Sequence, residues 1–74
     1  MLEFVILGTV DQAQEELVNR GIKAQITSTE FFKGRWKTKW RAEDCAELQA
    51  WDNEPLVKGD DGCFLPGSMY LTEG

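Results

Sequence analysis

The chain has 74 residues, 13 acidic and 8 basic, with a net charge of −5 and no histidine. Without an imidazole there is no Ser-His or Cys-His pair to activate a nucleophile, so a non-enzymatic role without a cofactor is expected. Three tryptophans and an apolar fraction of 42% argue for a packed core. A chain this short is expected to form one domain over residues 1–74, with net stability of about 3–5 kcal/mol.

Leu2, Phe4, Val5, Ile6 and Leu7 are apolar on both sides of an extended chain and predict a central strand over residues 2–8. The run is too short to cross a membrane and nothing basic precedes it, so neither a leader nor a membrane helix is expected. A cytoplasmic location follows as the expectation. A helix comes next. Thr9 or Asp11 can cap it, and Asp11 with Gln14 has the spacing of a capping box. Val10, Ala13 and Leu17 share one helical face, and Gly21 predicts a left-handed stop with Ile22 folding back on the helix end.

Residues 22–31 alternate, Ile22, Ala24, Ile26 and Ser28 against Lys23, Gln25, Thr27 and Thr29, as in a half-buried strand. The next run alternates as well: Trp36, Thr38 and Trp40 against Arg35, Lys37, Lys39 and Arg41. Two loops can join them. A two-residue turn at Lys33-Gly34 sets Phe31 opposite Trp36 but Ile26 opposite Arg41, which mixes apolar and charged side chains on one face. A three-residue loop of Phe32, Lys33 and Gly34 pairs Ile26 with Trp40, Ser28 with Thr38 and Glu30 with Trp36. Phe31 then faces Arg35. A one-residue slip inverts a whole face, so the three-residue loop is the expectation.

A second helix is predicted over about residues 41–52, with Ala42, Cys45, Leu48 and Trp51 inward and Glu43, Asp44, Glu47 and Asp52 outward. Pro55 ends it. The tail reads as short extended pieces, LVK, CFL and SMYLT, joined at GDDG and PG. Asp60-Asp61 suits a turn better than a metal, because calcium needs more oxygen ligands than this loop offers. The order β-α-β-β-α plus short C-terminal strands predicts an α+β fold, one mainly antiparallel sheet with two helices on a single face. Cys45 and Cys63 are too far apart in sequence for a metal-ligand spacing and are expected as reduced thiols.

Five of the eight basic residues fall within residues 33–41, and without that segment the chain carries 13 acids against 3 bases. Phe31, Lys33, Arg35, Lys37, Lys39 and Arg41 are therefore the candidate binding residues, with Trp36 and Trp40 facing the helices. The segment admits three uses. It can be a solvated strand, its cations neutralised by acids such as Glu30 and Glu47, with lysines guarding a sheet edge. It can meet an acidic patch on another protein, where charge steers association. It can meet a phosphate backbone, although the acidic remainder repels nucleic acid.

The acids on the outer helix faces, from Asp11 to Glu54, aid solubility, or mimic a phosphate backbone and enter another protein's nucleic-acid channel. The expectation is a small, acidic, monomeric protein-binding module that inhibits or regulates a larger protein. Short acidic chains without catalytic groups are frequent among phage accessory proteins that act on host polymerases, nucleases or defence complexes. A nucleic-acid-binding module using residues 33–41 is the alternative.

Overall fold

The structure, a computed structural model, describes residues 1–73. Its elements run β1 (Leu2–Leu7), α1 (Val10–Arg20), β2 (Ala24–Phe32), β3 (Arg35–Ala42), α2 (Ala46–Asp52) and β4 (Met69–Glu73). The strands form one sheet in the order β2-β3-β1-β4, and every neighbouring pair is antiparallel. This is the expected α+β arrangement.

β1 is an inner strand, as its apolar run requires. Phe4 and Ile6 are fully buried on the helix side. They join Ala13 and Leu17 of α1, Leu48 and Trp51 of α2, and Trp40 of β3 in one core. Val5 points to the other face yet is also buried, flanked in the ladder by Lys39 and Tyr70. The aliphatic stem of a lysine can cover such a residue while its ammonium stays in water.

α1 takes its cap from Thr9. The Gln12 amide donates to Thr9 Oγ1 at 3.3 Å, and the Thr9 amide donates to Gln12 Oε1 at 2.9 Å. The capping box is formed by Thr9 and Gln12, not by Asp11 and Gln14 as the spacing suggested. Gly21 ends the helix at φ 72°, and the Ile22 amide reaches back to the Leu17 carbonyl at 2.9 Å. α2 is shorter than the sequence suggests. It begins at Ala46, not near residue 41, because Arg41 and Ala42 stay in the ladder opposite Glu3 and Leu2. Ala42 is buried as expected, but as a strand residue.

The hairpin between β2 and β3 corrects the expected register. Its turn has two residues, Lys33 and Gly34, at φ 53° and 76°. Primed two-residue turns require such left-handed values, which match the twist of the flanking strands. Phe32 therefore faces Arg35, Phe31 faces Trp36 and Glu30 faces Lys37. Ile26 nonetheless faces Trp40, because a bulge between Ile26 and Ser28 adds one residue to β2. The bulge restores the face that the two-residue turn alone would invert.

In the tail, SMYLT supplies β4, and the other two pieces touch through a single bridge, Lys58 to Phe64. The Cys63 amide donates to Asp61 Oδ1 at 3.0 Å, so the GDDG segment is a side-chain-supported turn. The Arg20 guanidinium lies 4.2 Å from the Trp51 ring centre and pairs with Glu16 at 3.1 Å and Glu54 at 2.6 Å. It thereby ties α1 to the residues after α2.

Candidate functional site

The end of the β2–β3 hairpin extends past β1, whose ladder with β3 stops at Leu7 and Lys37. Residues 25–36 are all exposed. Three aromatic rings are therefore in water: Phe31 and Phe32 at 57% exposure and Trp36 at 44%. Phe31 and Trp36 stack across the ladder with ring centres 4.8 Å apart. Trp36 has the inward parity expected of it, but it stays exposed and lies outside the core cluster. Trp40, four residues on and paired with Phe4 in the β1 ladder, is buried at 3%.

Cross-strand pairing fixes which side chains share a face. Ile26, Phe31, Trp36 and Trp40 lie on the helix side. Phe32, Glu30 and Ser28 lie on the other side with Arg35, Lys37, Lys39 and Arg41. The basic strand is thus confirmed as alternating, but it is not a sheet edge. β3 sits between β2 and β1, and the edges are β2 and β4. Edge protection is therefore not the reason for the lysines.

The candidate cations differ in their surroundings. Arg35 pairs with Asp61. The Asp61 carboxyl is held below its ordinary range, first by the Cys63 amide and then by the Arg35 guanidinium. Lys39 and Arg41 both approach Glu3, at 3.9 and 3.8 Å. Among the described residues, Lys33 and Lys37 have no carboxylate within ion-pair distance. Lys33 instead lies 5.3 Å from the Phe32 ring centre. The acids that neutralise the strip are Glu3 and Asp61 rather than Glu30 and Glu47. Glu3 escaped the sequence reading because it lies in an apolar run far from residue 39. Only the β1–β3 pairing brings it there.

The site is thus an exposed aromatic hairpin with a partly compensated cationic face. Its outer strand, β2, offers unpaired backbone groups, and Glu30 is its only charged residue. Cys45 and Cys63 are free and half-buried. Among the described residues no cluster of three or more acidic or thiol side chains could hold a metal. Among the described residues no helix is long and apolar enough to cross a membrane. The chain matches no known protein family, no curated protein and no solved structure.

Proposed function

We propose that this is a non-enzymatic protein-binding module, an inhibitor or regulator that docks on a larger protein through the β2–β3 hairpin. The observation that carries the reading is the exposure of Phe31, Phe32 and Trp36 on a hairpin that reaches past the core. Aromatic residues and Arg are the usual anchors of protein interfaces. They bring large contact area, while the cationic face selects an acidic patch and sets its orientation. The exposed edge of β2 can add main-chain pairing to a strand of the partner.

The same rings beside Lys33 and Lys37 also suit unpaired bases, which stack on aromatic side chains. That second reading is weakened by Glu3 and Asp61, which already engage Arg35, Lys39 and Arg41. A salt series decides between them. Phosphate binding weakens log-linearly with salt as counterions are released. The immobilised chain is expected to retain a protein from cells of its source that survives moderate salt, and to leave single-stranded oligonucleotides unbound. Oligonucleotide binding with a steep salt slope would overturn the protein-binding reading.

A further inference from the structure

A cleft of about 690 Å³ opens between the hairpin end, the end of β1 and the loop of residues 56–66. Its size lies within the range of small-molecule sites, which is roughly 300–1,000 Å³. Leu7, Trp36, Leu56, Phe64, Pro66 and Tyr70 give it an apolar, largely aromatic wall. Its charged lining is of one sign, Arg35, Lys37 and Lys58, with no carboxylate. That is unexpected in a chain with 13 acids and 8 bases.

Arg35 is engaged by Asp61, an ion pair that links the hairpin end to the loop. Lys37 and Lys58 make no ion pair among the described residues. Lys58 lies 5.7 Å from the Phe64 ring centre, which holds its stem along the wall. We propose that this cleft binds a small organic anion with a flat apolar body, the rings of Phe64 and Tyr70 taking the body and Lys37 and Lys58 the charge. Charge complementarity selects the anion, because a neutral ligand would leave both ammonium groups to be desolvated without a partner. The cleft shares Arg35, Trp36 and Lys37 with the protein-docking surface, while Lys58, Phe64 and Tyr70 belong to the cleft alone.

A matched pair of fluorescent probes tests it. Anilinonaphthalene sulfonate is a flat aromatic anion, and N-phenylnaphthylamine is the same ring system without the sulfonate. Titration of the full chain, followed by amide NMR, is expected to give saturable binding of the sulfonate. Shifts should concentrate at Leu7, Gly8, Gly34 to Lys37, Gly62 to Phe64 and Tyr70. The neutral probe should bind at least about tenfold more weakly, as should the sulfonate to the Lys37→Gln/Lys58→Gln variant, since a charged hydrogen bond is lost in each case. Equal affinity for the two probes would overturn the proposal. So would shifts confined to Phe31 and Phe32, full binding by the double variant, or no saturation in the millimolar range.

Discussion

Thr38 shows how one side chain joins a strand to the core. Its hydroxyl is fully buried, donates to the Ile6 carbonyl at 3.0 Å and accepts from Trp40 Nε1 at 2.8 Å. Thr38→Val keeps the shape but strands a buried indole N–H, so unfolding in urea should register a loss of about 1–3 kcal/mol. The need of Trp40 for a partner is legible in the sequence, because a buried indole must donate. Which residue supplies the acceptor is not legible, since the partner sits two residues away on the same face and reads as part of the apolar stripe. Two carboxyls carry a pH dependence. Glu54 is held below its ordinary range by the Arg20 hydrogen bond, and Asp61 by the Cys63 amide and Arg35. A depressed folded pKa favours the charged form, so each contributes stability above the ordinary carboxylate range and loses it as the pH falls through its folded value. Melting temperature should therefore fall on acidification, and Glu54→Gln should flatten part of that fall. An unchanged acid limb in the variant would exclude Arg20–Glu54 as a source.

At the scale of elements, α1 was the most legible, because its cap, its apolar face and its glycine stop all lie within one continuous segment. The hairpin was the least legible. Turn chemistry at Lys33-Gly34 and face matching at Ile26–Trp40 demanded different registers, and the bulge at Thr27 satisfies both. Nothing local announces that bulge; it follows from which β2 residues must lie over Trp40. The start of α2 was misplaced for a similar reason. Arg41 and Ala42 have acceptable helical character, but β1 offers them ladder partners. The bulge also has a consequence for assembly. β2 is an edge with neither lysine nor proline, and a bulge twists such an edge away from flat pairing. The basic strip lies on β3, inside the sheet, so repulsion between like-charged strips does not guard the edge of β2. Deleting Thr27 should leave a regular ladder and a flatter edge. Sedimentation should then give self-association that grows with concentration, against a monomer for the unaltered chain. A stable wild-type dimer at low micromolar concentration would mean that the bulge does not protect the edge.

The whole molecule divides into a small core and an extension beyond it. Trp40→Ala empties the middle of that core and should remove roughly 3–5 kcal/mol, about all the stability a domain of this size has, leaving an unfolded chain by circular dichroism. The hairpin end should behave in the opposite way, since its rings contribute little to a core they do not enter. Charge polarisation, visible in the sequence as a basic segment on an acidic body, is moderated in the fold by Glu3 and Asp61, so the rings carry more of the proposed recognition than the cations do. The most direct measurement pairs thermal melts with a binding titration of the Phe31→Ala/Phe32→Ala variant against the protein retained by the unaltered chain. Exposed substitutions usually move stability by no more than about 0.5 kcal/mol each, so the variant should melt close to the wild type. Loss of interface anchors of this kind costs more than about 1 kcal/mol each, so its affinity should fall at least tenfold. A variant that melts normally and binds with unchanged affinity would contradict the assignment of the hairpin as the docking surface.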